Sequence, residues 1–82
     1  IRHFMAEINI YTTPNCIYCR MAKEFLNENK QKFKEIDVSS SEEAAKEMVE
    51  KSEQRGVPVI EIDGKIIVGF DEPKLRKLLK IK

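Results

Sequence analysis

Apolar and polar residues change period several times along this chain, and each change marks an element. From Ala6 to Tyr11 they alternate, with β-branched and aromatic residues prominent, which predicts a strand. Thr12-Thr13-Pro14-Asn15 breaks the run: Pro14 biases Thr13 toward extended backbone, and Asn15 is expected to cap a helix. From Cys16 onward Tyr18, Met21, Ala22, Phe25 and Leu26 recur at helical spacing, until Asn27 and Asn29 weaken the pattern. Phe33, Ile36 and Val38 then mark a second short strand, with Lys and Glu on its other positions. Ser39-Ser40-Ser41-Glu42-Glu43 holds two overlapping capping boxes, Ser39 with Glu42 and Ser40 with Glu43. They open a helix whose apolar stripe is Ala44, Ala45, Met48 and Val49.

Beyond Ser52-Glu53-Gln54-Arg55-Gly56, the segment Val57-Pro58 leads into Val59-Ile60-Glu61-Ile62, and Lys65-Ile66-Ile67-Val68 follows after Asp63-Gly64. Asp-Gly between two β-branched runs predicts a hairpin, because both central positions of a type I′ turn need positive φ. Asp71 and Pro73 then suit the cap and first turn of a last helix, with Leu75, Leu78 and Leu79 as its buried stripe. The predicted order is β-α-β-α-β-β-α. A helix between the first two strands makes them parallel, and the hairpin makes the last two antiparallel. A four-stranded mixed sheet flanked by helices accommodates every element, an α/β arrangement that resembles the thioredoxin-like fold.

Length and composition narrow the use of such a scaffold. Eighty-two residues support one domain. Ile1-Arg2-His3-Phe4 reads as the remnant of an expression tag, with Met5 the native start, so residues 5–82 are taken as that domain. Charged residues make up 35% of the chain but nearly cancel to a formal +1, so no basic field invites nucleic acid. Apolar stretches are too short to span a membrane, and no apolar leader is visible. Two cysteines are too few for a secreted disulfide scaffold. A soluble, cytoplasmic monomer is the expectation.

Those two cysteines carry the candidate chemistry. Cys16-Ile17-Tyr18-Cys19 directly follows the first strand and opens the first helix, a spacing that lets the thiols form a disulfide. Disulfide exchange needs a thiolate, and a helix N-terminus offers N–H donors and partial positive charge that favour the anion. Cys16 sits where those donors point, with Arg20 and Lys23 further along the helix adding positive potential. Cys16 is therefore the candidate nucleophile, and Cys19, one turn deeper, the resolving thiol. Two other uses stay open: inert core cysteines, and a zinc site lacking its remaining ligands, His3 lying in the tag segment.

The segments Ile10-Tyr11-Thr12-Thr13-Pro14-Asn15-Cys16-Ile17-Tyr18-Cys19, Gly56-Val57-Pro58 and Val68-Gly69-Phe70-Asp71 resemble the glutaredoxin family in this order and spacing. The resemblance runs from Met5 to the end and is nearest to small bacterial glutaredoxin-like proteins. It implies glutathione-dependent reduction of protein disulfides and glutathione mixed disulfides, with glutathione as co-substrate and no tightly bound cofactor. It also places the family's nucleophile on Cys16, its resolving thiol on Cys19, and the aromatic beside glutathione on Tyr18. Val57 would pair through its backbone with glutathione, followed by a cis-proline at Pro58; the backbone at Phe70 and Asp71 would receive the γ-glutamyl carboxylate. Alone, Val57-Pro58 could merely blunt a strand start, and Asp71 could be a plain helix cap.

Three positions depart from the family pattern. Ile17 replaces the proline between the cysteines, Gly56 replaces a threonine, and Thr13 stands where a Lys or Arg pairs with glutathione's glycyl carboxylate. Arg55 or Lys23 could supply that missing charge, although a solvated surface position is the ordinary reading of either. The alternative is a redoxin reduced by thioredoxin reductase and donating electrons to an enzyme such as ribonucleotide reductase. An iron–sulfur carrier is a third, non-enzymatic reading, disfavoured by the second cysteine.

Overall fold

The computed structural model describes residues 6–81, so residues 1–4, expected to be a tag remnant, lie outside the described residues. Along the chain run β1 (Ile8–Thr12), α1 (Ile17–Glu28), β2 (Lys34–Asp37), α2 (Glu42–Ser52), β3 (Val59–Ile62), β4 (Lys65–Val68) and α3 (Glu72–Leu79). The sheet order is β2-β1-β3-β4, with β1 parallel to β2 and antiparallel to β3, and β3 antiparallel to β4. This is the thioredoxin-like fold expected from the pattern.

The period of two along β1 and β3 divides the interior in half. Ile8, Ile10, Ile60, Ile62 and Ile67 face one side, where Ala22, Phe25 and Leu26 of α1 and Leu75 of α3 cover them. Tyr11 and Val59 face the other, where Met48 of α2 packs, joined by half-buried Ile36, Val49, Val57 and Ile66. Fully burying each such aliphatic side chain is worth about 1.5–3 kcal/mol. The face under α1 and α3 is therefore the larger source of stability. It is also the face on which the cysteine-bearing helix is seated.

The hairpin forms as the Asp-Gly pair predicts: Asp63 and Gly64 take φ of 49° and 86°. Asp71 caps α3, its Oδ1 accepting from the Lys74 N–H at 3.2 Å, with Pro73 in the first turn. The boundary of α2 differs from expectation. Ser41 is the N-cap, accepting from the Ala44 N–H at 3.2 Å, and neither Ser39 nor Ser40 caps the helix. Asp37 has captured both: its Oδ1 accepts from the Ser39 N–H at 2.9 Å and Oγ at 2.6 Å, and its carbonyl accepts from Ser40 Oγ at 3.1 Å. An aspartate at a strand end folds the following serines into a turn before a helix can use them.

Candidate active site

The start of α1 also differs by one residue. Cys16, and not Asn15, is the N-cap, with extended backbone (φ −102°, ψ 115°). Its Sγ accepts the Cys19 N–H at 3.0 Å, so the sulfur does what a Ser or Asp oxygen does at other helix starts. The residue-type preference that pointed to Asn15 lost to the turn at Pro14-Asn15, which delivers Cys16 to the first free N–H groups. Both cysteines are free thiols. Cys16 is half-buried, whereas Cys19 is 1% exposed. Burial, and next the hydrogen bond with Cys16, push the Cys19 thiol up to about 12.

Across from the helix start, the Cys16 sulfur lies 3.9 Å from the Val57 carbonyl oxygen. The Val57-Pro58 peptide bond is cis, and the ladder to β1 begins only at Val59, so the Val57 backbone lies outside the sheet. Gln54 holds its approach: Oε1 accepts from the Gly56 N–H at 2.7 Å, and Nε2 donates to the Gly56 carbonyl at 3.0 Å. On the far side, the Gly69 N–H donates to the Pro58 carbonyl at 2.8 Å, with Gly69 at φ 81°. That bond fixes the start of α3 beside the cis-proline. The Phe70 ring turns inward, edge-on to Phe25 at 5.9 Å, which leaves its backbone and Asp71 at the rim.

Cys16, Val57, Pro58 and the Phe70-Asp71 backbone thus gather at one end of the sheet. Tyr18 is 62% exposed and Ile17 69%, so together with Met21 they present an apolar surface beside Cys16. Lys23 does not join them. Its Nζ binds Glu35 Oε2 at 2.8 Å, and Glu35 also accepts from the buried Thr12 Oγ1 at 2.8 Å. Lys23 is thus a partly exposed residue paired with Glu35, as a surface position would have it, and its charge still acts on Cys19. Sequence reading overlooked this Lys23–Glu35–Thr12 group, although Glu35 pairs with Ile10 and so shares the sheet face that α1 covers. Among the described residues no group of three or more His, Cys, Asp or Glu side chains could hold a metal. No described helix is long and apolar enough to cross a membrane.

A sequence model of the glutaredoxin family matches residues 8–67, which include the cysteine pair, the cis-proline and all four strands but the last residue of β4. The chain belongs to the glutaredoxin family. A glutaredoxin-like 8.6 kDa protein from the rubredoxin operon of Clostridium pasteurianum is 42% identical over 73 residues, 89% of this chain and 97% of its own. Glutaredoxin 3 of Escherichia coli is 35% identical over 68 residues, 83% of this chain and 82% of its own. Among solved structures, the thioredoxin-like protein BC3987 superposes with a TM-score of 0.84 at 34% identity, covering 89% of this chain and 100% of that one. The NrdH-redoxin of E. coli, a glutaredoxin-like protein with a thioredoxin-like activity profile, superposes with a TM-score of 0.80 at 26% identity, covering 88% and 93%. Glutaredoxins are thiol–disulfide oxidoreductases, and this chain is an enzyme of that class.

Proposed function

We propose that this protein is a dithiol glutaredoxin in which Cys16 attacks, Cys19 resolves, and glutathione is the returning reductant. The attacking Cys16 thiolate forms a bond to one sulfur of a substrate disulfide, and the other sulfur leaves with the electron pair and takes up a proton. The resulting mixed disulfide on Cys16 is then opened by a glutathione thiolate or by Cys19. The Cys16–Val57 approach at 3.9 Å is the observation that carries the reading. A peptide-like thiol joined to Cys16 would find the Val57 backbone alongside, free of the sheet, and could pair with it as an added strand does.

The remaining seats follow from the same end of the sheet. The N-terminus of α3 would receive the γ-glutamyl carboxylate through the backbone at Phe70 and Asp71. Asp71 uses Oδ1 for its cap and keeps its other oxygen for the ligand's ammonium. Tyr18 would flank the tripeptide. Disulfide-bearing and glutathionylated proteins in the cytoplasm are the substrates this chemistry fits, with the enzyme working as a monomer and without a bound cofactor.

A second reading has its own support. The exposed Ile17, Tyr18 and Met21 offer an apolar contact suited to a protein partner, and Lys23 is tied to Glu35 and absent from the glycyl seat. Both features favour reduction by thioredoxin reductase, with an enzyme such as ribonucleotide reductase as acceptor. The oxidised protein offered NADPH with either glutathione and its reductase or thioredoxin reductase separates the two. Turnover with glutathione is expected; turnover with thioredoxin reductase alone would overturn the glutathione reading.

A further inference from the structure

Cys19 faces a difficulty that Cys16 does not. To resolve a mixed disulfide it must attack as an anion, yet it is 1% exposed. In the reduced pair its thiol is pushed up to about 12, first by burial, which persists in the mixed disulfide, and then by its bond with the Cys16 thiol. The Thr13 backbone and the charge of Lys23 oppose that push. Lys23 follows Cys19 by four residues and so lies on the same face of α1. A lysine there would ordinarily reach for solvent, but this one is anchored. Glu35 holds Nζ at 2.8 Å, and Glu35 is itself held by Thr12, which is 1% exposed.

We propose that Lys23 is a positioning residue for the resolving step, its anchored ammonium stabilising negative charge on the Cys19 sulfur as it attacks the Cys16 mixed disulfide. The inference rests on the reading of Cys16 as the attacking sulfur and Cys19 as the resolving one. In that step the Cys19 S–H proton departs to solvent and the Cys19 sulfur bonds to Cys16. The bond between Cys16 and the substrate sulfur breaks, and the substrate thiolate leaves with two electrons and gains a proton. Lys23 neither gives nor takes a proton; it lowers the energy of the charge while it resides on Cys19.

The groups around this end of α1 fix the sign of each change. Cys16 stands on the helix's own cap; in the reduced pair its charge opposes ionisation of Cys19, and that opposition ends once Cys16 is bonded in the mixed disulfide. From β2 come Glu35 and, two pairs further along, Asp37, whose charge acts on Glu35. β1 contributes the Thr12 hydroxyl, the residue after it the Thr13 backbone, and Asp71 is engaged in capping α3. Glu35 is thus both anchor and brake: it keeps Lys23 in place and cancels part of its field.

Reaction of the reduced protein with excess dithiobis(nitrobenzoate) reports both steps, as a fast release of coloured thiolate by Cys16 and a slower second release by Cys19. In Lys23→Met the ratio of the second rate to the first should fall about tenfold, and the pH profile of the second release should move upward by about one unit. Lys23→Arg should restore both. Glu35→Gln keeps an oxygen for Lys23 but removes the negative charge, so it should raise the ratio about threefold. A ratio within about twofold of the parent in Lys23→Met would overturn the proposal. So would a ratio that falls in Glu35→Gln, because a purely structural tether predicts that both variants lose. Cys16→Ser separates the two layers: loss of the fast release supports the underlying reading, whereas its survival overturns that reading whatever Lys23 does.

Discussion

Where β1 runs out, Cys16, the Val57 backbone and the exposed side chains of Ile17 and Tyr18 leave bonding and apolar capacity facing outward. At the other end of the same sheet a small open cleft lined by Glu7, Asn9, Lys51, Glu61 and Asp63 carries polar groups that are mostly engaged with one another. Glu7 and Asp63 exchange two bonds there, the Glu7 N–H donating to Asp63 Oδ1 at 2.9 Å and the Asp63 N–H to the Glu7 carbonyl at 3.0 Å. Close by, Lys51 binds Glu61 at 2.9 Å, Glu47 at 3.3 Å and the Tyr11 hydroxyl at 3.1 Å. Glu61 and then Tyr11 hold the Lys51 ammonium charged well above its usual range. One end is furnished to exchange partners and the other to keep them. The sheet between them lets a small domain do both, because stability generated at the rear and in the core does not have to be generated at the rim.

If that division holds, Cys16→Ser should lower turnover by on the order of a thousandfold or more. Its stability should stay within about 0.5 kcal/mol, because a serine oxygen can accept the Cys19 N–H in place of sulfur. Thermal melts alongside a reductase assay check both halves, and a large loss of stability would show the rim to be structural after all. Ile60, fully buried under α1, belongs to neither end. Ile60→Ala should cost about 2–5 kcal/mol in urea unfolding and leave the rates of the remaining folded enzyme close to the parent's.

Lys51→Met sharpens the comparison from the rear. It should cost about 1 kcal/mol, since the group is partly solvated, without changing turnover. Its pH dependence is diagnostic. Lys51 holds the Glu61 carboxyl below the usual range, and burial works against it. A carboxylate depressed in the folded state contributes stability that is fully present above its unfolded value and disappears as pH falls through the folded one. The gap in stability between parent and Lys51→Met should therefore be widest near neutrality and close below about pH 4, as read from unfolding midpoints. A gap independent of pH would mean that Lys51 acts through packing alone.

The sheet, its order and the hairpin were legible because period and turn chemistry are local properties: Asp63-Gly64 needs nothing beyond its neighbours to specify a type I′ turn. The cysteine pair and the cis-proline were legible as motifs. Helix starts were not, where several capping residues competed. Asn15 and Cys16 can each cap α1, and the Pro14 turn decides between them; Ser39, Ser40 and Ser41 can each cap α2, and Asp37 decides. The partner of Lys23 was not legible for a different reason. Glu35 is twelve residues away and meets Lys23 only once β2 is laid beside β1. Such a pair follows from register, which no local pattern states.

A Cβ added at Gly56 would sit 2.9 Å from Gln54 Oε1, the far end of a flexible side chain, and would meet no backbone. A side chain at position 56 would therefore push the glutamine aside and release its two bonds to the Gly56 backbone, while the path of the chain stayed open. The lead-in to Val57 is a latch and not a wall: one substitution can undo the hold without blocking the route.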